Sequence, residues 1–162
     1  MPCLAFYRGR RTLSDRVICA VTRSPYSHVE FLPDVGAAQF HQPCKMHAIS
    51  SSGRDGGVRS KDIEFDPNRW DILGVPWAPD DAADKIISHL GKPYDYPGLI
   101  GSQLLNLRRQ SDSRWFCSEI CAYALGMGVP HKYAPGDLHR AVLERNAIYA
   151  KGLAECLNTE HS

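Results

Sequence analysis

The chain has 162 residues, of which 43% are hydrophobic and 23% are charged, and its formal net charge is +1. These values are ordinary for one folded domain with a substantial core. The near-neutral charge argues against wholesale binding of nucleic acid. We therefore expect a single domain over residues 1–162, with a tail that frays from about residue 155, and no nucleic-acid partner.

The cysteines and the first residues bear on location. Six cysteines are scattered along the chain without a C-x-x-C pair, and the opening M-P-C-L-A-F-Y-R-G-R-R lacks the basic segment and apolar run of a signal peptide. No stretch approaches the ~18 apolar residues of a membrane-spanning helix. We expect reduced thiols and a protein that is cytoplasmic, or delivered or released by a phage or a specialised secretion system.

The N-terminal quarter predicts three strands and a helix. Cys3–Tyr7 is a short apolar run typical of a strand, and Thr12–Val21 has the periodicity of a helix, with Thr12 as its cap. After the turn R-S-P-Y-S, His28–Leu32 is strand-like. Ala37–His41 is expected to pair with it as the second strand of a hairpin.

The middle of the chain predicts a loop, two strands and a helix. Ser50–Gly57, S-S-S-G-R-D-G-G, is typical of a flexible loop and is a candidate lid over a site. Strands are expected at Val58–Phe65 and Trp70–Val75. Pro79–Leu90 has the pattern of an amphipathic helix that Gly91 ends.

The C-terminal half predicts three further helices. They are expected at Leu99–Leu107, from Cys117 onward, and at Leu138–Asn146. Helices that flank a central set of strands predict the α+β class.

Cys117 stands at the start of the middle one of these helices, in W-F-C-S-E-I-C-A-Y-A-L-G. Free N–H groups and the helix dipole stabilise negative charge in a first turn, so a thiol there is a better nucleophile. The alternative is a small buried residue of the core, which is what we expect of Cys121, one turn further on.

His28 is the best-placed base for such a nucleophile. Residues two apart in a strand share a face, so His28 and Glu30 point one way while Val29 and Phe31 point to the core. The base needs a third group that fixes its tautomer. The candidates are Glu30 on the same strand and, on the expected hairpin partner, Gln39 and His41.

Three motifs in order carry a family resemblance. S-H-V-E, then G-K-P-Y-D-Y, then F-C-S-E-I-C-A-Y-A-L resemble the permuted NlpC/P60 cysteine hydrolases, and the YiiX/YebB-like branch in particular, over about Leu4 to Arg140. Lecithin:retinol acyltransferase-type enzymes are more distant relatives. The resemblance implies a circularly permuted papain-like fold, with a central antiparallel sheet flanked by helices and the histidine strand ahead of the cysteine helix.

The resemblance also implies roles for individual residues. Cys117 matches the nucleophile and His28 the base, and a third polar residue on the following strand matches His41, with Gln39 as its nearest rival. Tyr94 of G-K-P-Y-D-Y is expected beside the nucleophile, where it and the backbone N–H of Cys117 would stabilise an oxyanion.

The implied activity is hydrolysis of an amide bond through a thioester, with peptidoglycan stem peptides as the first substrate and no cofactor. One alternative is lipid acyl hydrolysis or acyl transfer, and another is a non-catalytic binding or virion protein on the same fold. H-Q-P-C-K-M-H, His41–His47, has three metal-capable side chains. Structural zinc commonly has four ligands and a C-x-x-C pair, so no metal is expected.

Overall fold

The structure, a computed structural model, describes residues 1–35, 40–95 and 114–159. Over these ranges the chain has an α+β fold, in which helices accompany a five-stranded antiparallel sheet. The predicted fold class is confirmed at this level. The helix predicted at Leu99–Leu107 lies outside the described residues.

The sheet has the strand order β4-β3-β2-β1-β5, and all neighbours pair in antiparallel orientation. The strands are β1 (Cys3–Tyr7), β2 (His28–Leu32), β3 (Cys44–Ser52), β4 (Gly57–Phe65) and β5 (Trp70–Gly74). β1 lies between two other strands and is buried along its whole length, as its continuous apolar sequence requires.

Four α-helices occur in the described part of the chain. They are α1 (Leu13–Thr22), α2 (Ala82–Ile87), α3 (Cys117–Ala124) and α4 (Pro135–Thr159), and a 3-10 helix at Pro130–Lys132 precedes α4. None of the described helices has both the length and the apolar character that a membrane crossing requires.

Both faces of the sheet are covered by apolar side chains. On one face, side chains from β1 and β2 form a cluster with α3 and α4; the strand members are Leu4, Phe6, Val29 and Phe31. A second, smaller cluster on the other face includes Tyr7, Leu32, Phe65 and Trp70. Because α3 packs directly against β2 and β3, its first residue is fixed relative to the histidine strand.

Helix α1 begins as predicted but does not bury its whole apolar face. Thr12 Oγ1 accepts the backbone N–H of Asp15 at 3.1 Å, and the Asp15 carboxylate accepts the backbone N–H of Thr12 at 3.0 Å, which is a capping box. Ile18 is buried, but Leu13 and Val17 are 78% and 53% exposed.

The serine run belongs to a strand, so the loop predicted at Ser50–Gly57 is wrong for its first three residues and for Gly57, which begins β4. β3 continues through the serines, and only four residues turn between β3 and β4. Ser50 Oγ donates to the carbonyl of Val29 at 2.8 Å, and Ser51 Oγ donates to that of Trp115 at 2.6 Å. These bonds satisfy the buried hydroxyls, and therefore a polar sequence is able to form a buried strand.

The hairpin strand predicted at Ala37–His41 is wrong where it is described. Phe40 and His41 form no strand, and the remaining residues of that range lie outside the described ones. The strand that pairs with β2 is β3, through Phe31 and Ile49. The later segment pairs with β2 because its Ala48 and Ile49 supply buried side chains to the sheet.

Two helices differ in length from their predictions. The final helix was expected at Leu138–Asn146 with a frayed tail, but α4 continues to Thr159. Its sequence after Pro135 has no further proline and is rich in helix-forming Ala, Leu, Glu and Arg. The helix predicted at Pro79–Leu90 is shorter, because α2 covers only Ala82–Ile87.

Leu4→Ala and Leu13→Ala make the same substitution at a fully buried and a 78% exposed position. We expect Leu4→Ala to lower the free energy of unfolding by about 2–5 kcal/mol, because it leaves a cavity in the sheet core. Leu13→Ala should change it by less than about 0.5 kcal/mol. Urea denaturation measures both, and equal losses would contradict the packing described for β1.

Candidate active site

Cys117 is the first residue of α3, as predicted. Phe116 before it is extended, with φ −93° and ψ 154°, and its backbone N–H is accepted by Glu119 Oε2 at 3.3 Å. This hydrogen bond caps the N-terminal end of the helix. Cys117 has no exposed surface and belongs to the core between sheet and helices.

A short backbone ladder brings Tyr94 to the start of α3. The Trp115 N–H donates to the carbonyl of Pro93 at 3.1 Å, and the Asp95 N–H donates to the carbonyl of Trp115 at 3.2 Å. The rings of Tyr94 and Phe116 meet edge to face with centroids 5.7 Å apart. The expected proximity of Tyr94 to the cysteine segment is therefore present.

His28 lies at the start of β2 and contacts Glu30, two residues along the same strand. Nε2–H of His28 donates to Glu30 Oε1 at 2.6 Å, so the predicted shared face is confirmed. The ring of Trp70 lies edge-on to the imidazole, with centroids 6.4 Å apart. Because Nε2 is taken by Glu30, Nδ1 is the nitrogen left to face the sulfur of Cys117, which lies near enough to influence the pKa of His28.

The charges around His28 favour the imidazolium form. Burial lowers the pKa of His28, but the negative charges of Glu30 and Cys117, together with hydrogen bonds to both, raise it to about 10. An imidazolium at neutral pH stabilises an anionic sulfur beside it and is ready to donate a proton.

Glu30 is an almost fully buried carboxylate that stays ionised. Its side chain is 1% exposed. Arg59 Nη1 donates to Glu30 Oε2 at 2.7 Å, and Nη2 donates to Oε1. Burial raises the pKa of Glu30, but the charge of His28 and the hydrogen bonds from Arg59 and His28 hold it below its ordinary value.

Glu30 occupies the position on the histidine that was expected for His41. His41 is exposed and lies in a bend ahead of β3, and Gln39 lies outside the described residues. The expectation required a strand at those residues. The i, i+2 geometry of β2 itself supplies a carboxylate at 2.6 Å, so His28 finds its partner on its own strand.

An open cavity of about 820 Å³ lies beside this cluster. Its wall includes His28, Glu30, Arg59 and Tyr94, and also the exposed Leu13 and Val17 of α1. The turn between β3 and β4 forms part of the same wall, and Arg54 of that turn binds Asp15 of α1 at 2.9 Å.

Cys117 is not part of the cavity wall. It has no exposed surface, so its Sγ is not accessible from the cavity in this structure. His28 is the member of the pair that faces the cavity, with 20% of its side chain exposed.

Over residues 1–35, 40–95 and 114–159, no group of three or more His, Cys, Asp or Glu side chains is arranged to hold a metal ion. Within the metal-capable run H-Q-P-C-K-M-H, His47 lies in β3 and its Nδ1 is 3.1 Å from Asp62 Oδ1 of β4. That pair is exposed on the surface.

Comparisons of the chain with protein-family models, with curated proteins and with solved structures found no match. A functional assignment therefore depends on the geometry above and on the three motifs that carry the resemblance.

Sequence reasoning missed Arg59, Asp55 and Trp70. Arg59 lies in the run V-R-S-K-D-I-E, and nothing in the sequence distinguishes it from the neighbouring cation Lys61. A signal was available in Glu30, because a carboxylate that becomes buried in a sheet needs a cation to balance it.

Glu30→Gln tests whether the carboxylate holds the site together, and His41→Gln is its control. At pH 7 we expect Glu30→Gln to lower the free energy of unfolding by about 3–5 kcal/mol, because buried His28 and Arg59 both lose the carboxylate that they share. Because the folded pKa of Glu30 is lowered, this stabilisation is present above its unfolded value of about 4.3 and is lost as pH falls through the folded pKa.

The measurement is urea denaturation of wild type and both variants from pH 7 down to pH 3. The difference between wild type and Glu30→Gln should shrink in acid, whereas exposed His41→Gln should stay within about 0.5 kcal/mol of wild type throughout. A larger loss for His41→Gln than for Glu30→Gln would contradict the arrangement described here.

Proposed function

We propose that the chain is a cysteine hydrolase that cleaves an amide bond through a thioester intermediate. Cys117 is the nucleophile, His28 the acid and base, and Glu30 the carboxylate that orients His28. One observation carries the proposal: His28 donates to the buried, ionised carboxylate of Glu30 at 2.6 Å, and the Cys117 thiol at the start of α3 is close enough to raise the pKa of the same imidazole.

The reaction has two halves. The sulfur of Cys117 attacks the amide carbonyl carbon, and the tetrahedral intermediate collapses as the imidazolium of His28 gives its proton to the leaving amine. Water then attacks the thioester carbonyl with His28 as base, which releases the carboxylic acid product and restores the cysteine. Glu30 keeps the ring of His28 in one orientation through both halves.

Two donors are assigned to the oxyanion. The backbone N–H of Cys117, in the first helical turn, is one, and the hydroxyl of Tyr94 is the other. Tyr94 lines the cavity, so it also contacts whatever occupies that space.

The finer fold assignment is the circularly permuted papain-like fold of the NlpC/P60 enzymes. Its support is the order of the chain, in which the histidine strand β2 precedes the cysteine helix α3, and the antiparallel sheet against which that helix packs.

Peptidoglycan stem peptides are the substrate that we propose first. They carry free amino and carboxyl groups, and the cavity wall has side chains of both signs to meet them. The positive ones include Arg54 and Arg69, and the negative ones Asp55 and Glu64.

Lipid acyl chemistry on the same site is the second candidate, and one observation favours it. Leu13 and Val17 are largely exposed to solvent and line the cavity, where an acyl chain would cover them. The same cysteine and histidine would then form a thioester with the acyl group and release an alcohol instead of an amine.

Cys117→Ala and Cys121→Ala test the nucleophile with a matched control, because both side chains are fully buried and lie one turn apart on α3. Burial raises the pKa of Cys121 well above its ordinary value, which keeps this thiol protonated. We expect Cys117→Ala to lose activity about 10³-fold or more and Cys121→Ala to retain most of it.

The assay is the release of new amino groups from purified peptidoglycan, with the release of fatty acid from phosphatidylcholine vesicles run in parallel. Amine release that depends on Cys117 supports the first candidate, and fatty-acid release that depends on it supports the second. Equal activity of both variants, or none in wild type with either substrate, would contradict the proposal and favour a non-catalytic binding protein.

A further inference from the structure

Arg59 reaches Glu30 along one row of side chains that crosses three strands. Arg59 of β4 is paired with Ser50 of β3. Phe31 of β2 is paired with Ile49 of β3, so in antiparallel register Ser50 lies next to Glu30. The order across the sheet is therefore arginine, serine, glutamate.

The small residue in the middle of this row makes the contact possible. Ser50 is fully buried, and its hydroxyl is turned to the carbonyl of Val29. A larger side chain there would fill the space that the guanidinium crosses. Arg59 is itself only 14% exposed, which is low for a charged side chain.

Arg59 binds two carboxylates through different nitrogens of its guanidinium. Its two terminal nitrogens hold the carboxylate of Glu30, and its Nε donates to Asp55 Oδ2 at 2.9 Å. Asp55 lies in the turn between β3 and β4. Burial raises the pKa of Asp55, but hydrogen bonds from Lys61 and Arg59 lower it to about 2, so both carboxylates are ionised at neutral pH.

In the ion-pair form that the proposed function requires, the formal charges of the buried groups sum to zero only if Arg59 is included. A thiolate at Cys117 and an imidazolium at His28 cancel, and the carboxylate of Glu30 and the guanidinium of Arg59 cancel. Without Arg59 the cluster would carry one uncompensated negative charge in a site with little solvent, and the group that escapes this cost by taking a proton is the thiolate.

We propose that Arg59 is a positioning residue of the hydrolase site: it neutralises and orients Glu30, so that the buried pair of Cys117 and His28 holds its charges at neutral pH. The inference rests on the proposed function. Through Asp55 the same side chain joins this charge balance to the turn that borders the cavity.

The test is the pH dependence of Cys117 alkylation by iodoacetamide, followed by mass spectrometry of the peptide that contains it. The quantity compared is the pH at the midpoint of the profile. Burial of Cys117 slows alkylation by the same factor at every pH, so it changes the rate but not the midpoint. Arg59→Met should move the midpoint to higher pH by about 1–3 units, because the negative charge of Glu30 then has no cation to balance it beside the sulfur.

Two further variants separate charge from geometry. Lys61→Met removes an equal charge two residues along β4, from a side chain that also binds Asp55 but is 45% exposed, and it should leave the midpoint unchanged. Arg59→Lys keeps the positive charge but loses the two parallel hydrogen bonds that orient Glu30. Its midpoint should therefore stay near that of wild type, while kcat falls. If Arg59→Met does not fold, the double variant Arg59→Met/Glu30→Gln, which restores neutrality, should return the midpoint to near the wild-type value.

A shift in Arg59→Met no larger than that in Lys61→Met would overturn the inference, and so would a shift of equal size in Arg59→Lys. The wild-type profile separates this failure from a failure of the proposed function. If the wild-type midpoint does not depend on His28, the hydrolase site itself is wrong. If it depends on His28 but not on Arg59, only the role of Arg59 is wrong.

Discussion

The buried carboxylate of Glu30 is the group on which the site depends. A charge with 1% of its side chain exposed is stable only if it is paired, and here its partners come from its own strand and from β4. Pairing with Arg59 fixes how β4 lies relative to β2, and pairing with His28 fixes the imidazole that faces Cys117. One electrostatic requirement therefore links β4 and β2 to the geometry of the candidate site.

The cysteine proposed as the nucleophile is buried, whereas the cavity beside it is open to solvent. Cys117 lies in the core, while His28 and Tyr94 reach the wall of the cavity. Two segments border that cavity, α1 with its exposed Leu13 and Val17, and the turn between β3 and β4, and Arg54 and Asp15 join them. In the proposed hydrolase, movement of groups near these borders would admit a substrate to the sulfur, so substrate choice depends on the cavity wall and reactivity depends on the buried charges.

Local patterns predicted much of this arrangement, and long-range contacts account for the rest. β1, β2 and the start of α3 follow directly from apolar runs and helical periodicity, and the shared face of His28 and Glu30 follows from the two-residue repeat of a strand. β3 was missed because its serines are polar in sequence and become buried only through bonds to distant carbonyls. Arg59 was missed for the same reason, since its partner lies two strands away.

The measurement that most directly tests the central claim is the pH profile of Cys117 alkylation in wild type and in His28→Ala. The account predicts a wild-type midpoint well below the value of about 8.5 for a free thiol, and a higher midpoint when His28 is removed. A midpoint at the free-thiol value that does not change in His28→Ala would contradict it, and Cys117 would then be a core cysteine at the start of a helix.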